Sequence, residues 1–283
     1  MVALFFYIFI PFFIFNPLLL PFEEYIEQTF FFEAFHTRLE DGFSTQEFLT
    51  SIRNELLATT QLPLAIDFLL TDMKHTGVLS AAMQRIEHYF TPFQAFVIAE
   101  SEREAGRFDF RIALEILARE AKYRSENPSV QGLFFYQFET LCRNRLGYDR
   151  GLEVMIRDDI YNDDWKTWLN ILRRQVGLAD LADMIFYRSE FYKQKNEESE
   201  IVTLFGEREG RIAFATRKRD TRYLFSALSR HLGYPEVPRQ KRAAEEENLI
   251  PVLQRRIEHL ENKLQLIEEE LRGGINLNRY FVH

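Results

Sequence analysis

The chain has 283 residues and a formal net charge of −8 at pH 7. Its 46% hydrophobic and 28% charged residues are typical of a globular protein and exclude an intrinsically disordered one. The acidic balance of the whole chain predicts no nucleic acid partner by itself. Cys142 is the one cysteine, so an intrachain disulfide is excluded and a reducing compartment is favoured.

Shifts in composition and periodicity divide the chain into seven stretches. The predicted fold class is mainly α, with a helical bundle, a small α+β unit and a C-terminal coiled-coil helix. The predicted stretches are an apolar segment at 1–22, a helical bundle at 23–125, a second helical group at 126–197, an α+β unit at 198–235, a linker of basic and acidic residues at 236–247, a coiled coil at 248–273 and a tail at 274–283.

Residues 1–22 are almost wholly apolar, and their number suits a membrane helix. Pro11, Pro17 and Pro21 argue against a straight one. No Lys or Arg precedes Arg38, so flanking charge predicts no orientation, and the basic start of a signal peptide is absent. Three interpretations stay open: a membrane anchor, an extension upstream of the true start codon, and a secretory signal. We expect an anchor in the inner membrane, with the chain on its cytoplasmic side.

Periodic apolar residues predict five or six helices between Glu23 and Tyr123. Ser44 and Glu47 have the spacing of a capping box, in which each residue's side chain bonds the other's backbone N–H. Pro63 is typical of the first turn of the helix that follows.

A tight corner is predicted between two apolar helices of this bundle. Pro92 suits the first turn of the first helix, where its missing N–H is harmless. Gly106 suits a left-handed helix end, which costs glycine nothing. Asp109 is a good N-cap for the second helix, because its carboxylate can accept a free backbone N–H.

The same region carries a resemblance in three short motifs. They are LSAAM at 79–83, YFTP at 89–92 and EREAGRFD at 102–109. Together, over about 60–125, they resemble the cytoplasmic helical domain of the type II secretion F family, although Glu102, Arg103 and Ala105 differ from the family's residues. Members of that family are inner-membrane platform proteins of secretion and type IV pilus machines. The resemblance implies a helical fold and a bacterial, membrane-associated assembly, though not a secretion role in itself.

The second helical group is predicted to contain four helices, at about 130–146, 150–157, 165–176 and 181–195. Four acidic residues lie between the second and third of them: Asp158, Asp159, Asp163 and Asp164. Their spacing is not that of a calcium loop. We therefore interpret Asp163 or Asp164 as the N-cap of the helix at Trp165, and we expect no metal.

The period changes after residue 198. Val202 and Leu204 alternate with polar residues, as do Ile212 and Phe214, and 206–210 holds two glycines between them. This pattern predicts a β-hairpin.

A basic segment covers 211–242 and includes a helix capped by Asp220 and closed by Gly233. It has nine basic residues against two acidic ones, so its charge is +7. Such a segment can contact nucleic acid or an anionic membrane, and Phe214 and Tyr223 could stack on bases. The alternative is a solvated face followed by a basic linker. The candidate anion or nucleic acid contacts are Arg211, Arg217, Lys218, Arg219 and Arg222.

A heptad pattern runs through 249–272 without a break and predicts a parallel homodimer. Arg256 would face Glu261 of the partner helix and Lys263 would face Glu268, so both pairs attract. The alternative is an amphipathic helix folded back on its own domain. The predicted interface residues are Ile250, Ile257, Leu264 and Leu271 at position a, and Leu253, Leu260 and Ile267 at position d.

The sequence contains no recognisable catalytic constellation. Six histidines are scattered without metal-ligand spacing, and no Gly-rich phosphate loop is present. Cys142 has no neighbouring base, so we interpret it as a packing residue. We expect a non-enzymatic interaction or scaffold protein without cofactor, with a nucleic-acid-binding protein using 211–242 as the alternative.

Overall fold

The computed structural model describes residues 20–57, 59–103, 108–196 and 201–239. These residues are mainly helical, which confirms the predicted mainly α class. The first six helices are Phe22–Glu40 (α1), Thr45–Ile52 (α2), Leu62–Thr76 (α3), Leu79–Arg85 (α4), Pro92–Glu102 (α5) and Phe110–Ser125 (α6). The next seven are Val130–Asn144 (α7), Tyr148–Ile156 (α8), Asp163–Gln175 (α9), Leu181–Tyr187 (α10), Glu190–Lys195 (α11), Glu207–Thr216 (α12) and Thr221–Leu232 (α13).

Phenylalanine side chains build the core at the start of the chain, where α1 packs mainly along α6. Phe35 of α1 stacks on Phe48 of α2 with 4.2 Å between ring centroids, and Phe31 lies 5.6 Å from Phe48. All three rings are at most 2% exposed. The capping box that starts α2 is present, because Glu47 N donates to Ser44 Oγ and Ser44 N to Glu47 Oε2. Buried aromatic area of this kind is a large stabilising contribution.

The predicted corner lies between α5 and α6. Pro92 is the first residue of α5, after Thr91 as N-cap, and Asp109 caps α6 by accepting from Arg111 N at 2.7 Å. Both agree with the sequence prediction. Gly106 lies outside the described residues.

The predicted helix ends are corrected at two points in the second helical group. The N-cap of α9 is Asn162, which accepts from Trp165 N at 3.0 Å, while Asp163 and Asp164 occupy the first helical turn. The predicted helix at 181–195 is two helices, since Ser189 caps α11 and breaks the run. The Asn162 amide and the Ser189 hydroxyl occupy these N-cap positions because both side chains accept hydrogen bonds from nearby backbone N–H groups.

The predicted β-hairpin is wrong, and no strand occurs in the described parts of the chain. Ile212 and Phe214 lie in α12, which begins after Gly206 and buries Gly210 and Ala213 against its neighbours. Two alternating residues are too few to separate a period of 2 from a period of 3.6. Gly210 is a close-packing residue and not a turn residue, since a Cβ there would lie 2.2 Å from Ser189 Oγ.

An extended segment at 204–205 packs into a second aromatic core. Leu204 N donates to Arg188 O at 2.8 Å, and Glu190 N donates to Phe205 O at 2.9 Å. These bonds place the Phe205 ring 5.2 Å from both Trp165 and Trp168. The two core regions belong to one continuous cluster of buried apolar side chains.

The described chain ends in a strap at 233–239 that crosses α6 and α7. Tyr123 Oη donates to Leu232 O just before it, and Asn144 Nδ2 donates to Pro238 O at 2.9 Å. Tyr234 and Val237 are buried, with 3% and 1% exposure. The strap therefore packs as part of the core although it lacks regular secondary structure.

The remaining predictions for the two ends of the chain, the apolar segment up to residue 19 and the coiled coil at 248–273, lie outside the described residues. Among the helices that are described, none combines the length and the hydropathy needed to cross a membrane.

Candidate interaction surface on α10 to α13

Five aromatic rings cluster where α10, α11 and α12 meet. Phe186 is the buried centre, with ring centroids 5.2 Å from Tyr192, 5.2 Å from Phe214 and 6.1 Å from Phe191. Tyr187 packs on Tyr192 at 5.1 Å. Tyr187 is 50% exposed and Phe214 is 45% exposed. The cluster therefore offers aromatic surface to a binding partner.

Cationic side chains lie over these rings. Arg217 Cζ is 3.9 Å from the Phe186 centroid and 4.8 Å from that of Phe214. Lys195 Nζ is 4.3 Å from the Phe191 centroid and 4.8 Å from Phe214. Cations at such distances are attracted by the negative face of the ring. We call the five rings, with Lys195, Arg211 and Arg217, the cation–aromatic cluster.

Three of the five predicted contact residues already have a carboxylate partner. Arg217 Nε lies 2.7 Å from Asp183 Oδ1, and Arg211 pairs with Glu207 one helical turn away. Arg222 Nη2 lies 2.6 Å from Asp220, and its hydrogen bond holds the pKa of that carboxyl below its usual value. The positive field of the surface is therefore weaker than the segment charge predicts.

Lys218 and Arg219 are the other two predicted contact residues, and both side chains are exposed. Neither has an ion-pair partner among the residues that the structure describes. Lys218 has a φ of 57°, and its N–H donates to Asp180 Oδ2 at 2.8 Å. These two cations are thus the ones in this set that can bind an anion without first breaking an ion pair.

Most of the cluster lies outside the predicted contact residues. Phe186, Phe191 and Lys195 precede 211, where the predicted basic segment begins. The repeated Phe-Tyr pairs at 186–187 and 191–192 are a signal that could have found them, since each pair is followed by a basic residue. Tyr223, which was predicted to stack on bases, is 66% exposed on α13 and has no ring partner in the cluster.

Of the four acidic residues at 158–164, Asp158 is part of the interior of the fold, and the other three are exposed. Asp158 is 3% exposed and accepts from Arg124 Nη2, which also donates to Glu120 at 3.1 Å. Tyr161 joins the network through Gln137, which donates to Glu120 at 2.9 Å. No group of three metal-ligating side chains occurs in the described part of the chain.

Cys142 and His231 take part in the packing of the described residues. Burial raises the pKa of the Cys142 thiol to about 12, so it is protonated at neutral pH and a poor nucleophile. His231 Nε2 lies 3.1 Å from Glu209, which fixes its position in the packing between α12 and α13. Four surface cavities measure about 80 to 270 Å³, below the volumes typical of small-molecule sites.

Comparison of the chain with protein-family models, with curated proteins and with solved structures gives no match. The resemblance to the secretion F family therefore stays a prediction that rests on the three motifs.

Proposed function

We propose that the chain is a non-enzymatic helical scaffold protein that dimerises through residues 248–273 and is held at a membrane by residues 1–22. One observation carries this proposal: partly exposed rings cluster on α10 to α12, where Tyr187 is 50% exposed and Phe214 is 45% exposed. Exposed apolar side chains that cluster mark surfaces that bind proteins or membranes. Charged side chains such as Arg124 and Asp158, by contrast, are engaged in structural bonds.

The resemblance over about 60–125 supports a bacterial, membrane-associated assembly as the setting of this scaffold. This setting implies a helical platform and does not require a role in secretion.

Dimerisation is tested by sedimentation of the full chain and of two variants. Leu260→Glu places a charge at position d of the heptad seam, and Asn262→Glu places the same charge at the outward position f. We expect a dimer at micromolar concentration for the parent and for Asn262→Glu, and a monomer for Leu260→Glu. A monomeric parent, or a Leu260→Glu variant that stays dimeric, rejects the coiled-coil dimer.

A second candidate function, binding of single-stranded nucleic acid, is favoured by the cation–aromatic cluster. Partly exposed rings such as Phe214 can stack on bases, and Lys218 and Arg219 can contact phosphates. The carboxylates that pair with Arg211 and Arg217 argue against strong binding, which is why this function comes second.

The nucleic acid function is tested on single-stranded RNA with the double variant Lys218→Glu and Arg219→Glu. The matched control, Lys74→Glu and Arg174→Glu, makes the same charge change at exposed positions elsewhere. Two lost phosphate contacts reduce the slope of log affinity against log salt by about 1.4. Equal affinity and equal slope for the two double variants would leave the basic residues as a solvated face.

A further inference from the structure

The first turns of α1 present an apolar stripe to the outside of the bundle. Phe22, Ile26 and Phe30 follow each other at a spacing of four residues, so they lie along one side of the helix. Their exposures are 56%, 46% and 44%. The opposite side of the same turns is buried, for example at Gln28 and Phe31. The helix therefore carries apolar residues on two sides, one in the core and one on the surface.

α3 has a similar stripe close by. Leu64 is 72% exposed and Phe68, one turn later, is 38% exposed; Leu57, in the connection before α3, is 58% exposed. The connection is fastened to α1, because Leu57 N donates to Glu27 Oε2 at 3.3 Å and Gln61 N donates to Glu24 Oε1 at 2.7 Å. The two stripes thus lie at the same end of the bundle. We call Phe22, Ile26, Phe30, Leu57, Leu64 and Phe68 the apolar end patch.

The charged side chains at the edge of the patch are acidic or paired, since Arg53 Nε lies 2.6 Å from Asp67 Oδ1 of α3. Glu24 and Glu27 turn inward, with 4% and 9% exposure, and Glu24 also accepts from Tyr89 Oη at 2.9 Å. Glu23 stays exposed, and the first basic residue of the chain is Arg38. A partner that covers this end must gain its affinity from apolar burial.

The chain that leads into the patch is apolar as well. Residues 1–19 contain no charged side chain, and they end directly before Leu20, two residues ahead of Phe22. We propose that the apolar end patch lies in the interfacial region of a lipid bilayer, beside the point where residues 1–19 enter it. This inference deepens the proposed function and rests on its membrane anchor. Stable membrane attachment commonly combines two determinants, and the patch would be the second.

The test measures the depth of three fluorophores on the full chain in phosphatidylcholine vesicles. Each chain carries one reactive cysteine, at Ile26, Leu64 or Leu178, in a Cys142→Ala background. Leu178 is the control, because it is 84% exposed and follows α9, outside the patch. We expect doxyl-labelled lipid to quench the probes at 26 and 64 and to leave the probe at 178 unquenched. Quenching should be equal at low and high salt and should not increase with anionic lipid.

The outcomes separate the patch from the anchor. If the chain floats with vesicles but all three probes stay unquenched, the patch proposal is overturned and the anchor stands. If the probes at 26 and 64 are already shielded before vesicles are added, residues 1–19 or a second copy cover the patch, and the proposal is again overturned. If the chain does not float with vesicles, the anchor in the proposed function fails together with the patch.

Discussion

Arg124 shows how one residue can join helices that are far apart in the chain. Its side chain is 2% exposed and binds Glu120 within α6 and Asp158 after α8. Burial alone lowers the pKa of a guanidinium, but the charges of Asp158 and Glu120 outweigh it and hold the pKa of Arg124 well above its usual value. The guanidinium also lies over the Tyr25 ring of α1 at 5.9 Å.

Replacing Arg124 tests how much this network contributes to the free energy of unfolding. Arg124→Met leaves the carboxylates of Glu120 and Asp158 buried without a counter-charge, so we expect a loss of about 3–5 kcal/mol in the free energy of unfolding. Arg53→Met removes the same charge from an exposed pair with Asp67 and should cost no more than about 1 kcal/mol. Urea unfolding of both variants gives the comparison. Similar losses for the two would show that the buried network contributes no more than a surface pair.

At the residue scale, the sequence predicts hydrogen bonds between residues that are close along the chain, but not those between residues that are far apart. The caps at Ser44, Asp109 and Asp220 follow from a side chain bonding to backbone two or three residues away. The bond from Arg124 to Asp158 spans 34 residues, and no local pattern indicates it. From the sequence alone, Asp158 is only one member of an acidic cluster.

At the element scale, helical periodicity predicted most helices but misplaced α12. Its stretch contains two glycines and a short alternation, and both are features of a hairpin. What decides the structure is a tertiary contact, because Gly210 lets α12 approach Ser189 and Phe191. Glycine costs about 1 kcal/mol in a helix relative to alanine, and close packing offsets this cost here. A sequence without a partner surface cannot indicate such a contact.

Only part of the candidate surface can be predicted from the sequence, because the rest depends on tertiary contacts. A run of basic residues is visible in any sequence, so Lys218 and Arg219 were found. Whether a cation is free or paired depends on the neighbouring helix, as for Arg217 with Asp183 of α10. The rings on which Arg217 lies also come from other elements, and their contribution required the fold.

At the scale of the whole molecule, residues 20–239 share one core across helices that the sequence divides into groups. The strap at 233–239 contributes to this, since it returns from α13 to the earlier α7. Tyr234 Oη donates to Glu139 Oε2 at 2.8 Å and lies 3.0 Å from Phe225 O, which joins the strap to both helices. A continuous core of this kind favours cooperative unfolding.

Removing one hydroxyl from the strap tests this cooperativity. Tyr234→Phe leaves Glu139 Oε2 without its donor. We therefore expect the free energy of unfolding to fall by about 1–3 kcal/mol. If residues 20–239 unfold as one unit, the free energy of opening should fall by the same amount in α1 and in α9, although neither helix contacts the hydroxyl. Hydrogen exchange followed by mass spectrometry measures this free energy for each helix. Tyr223→Phe, at an exposed tyrosine of α13, is the control and should change neither helix. A loss confined to α9 would mean that α1 belongs to a separately unfolding unit, as the predicted division at residue 125 implies.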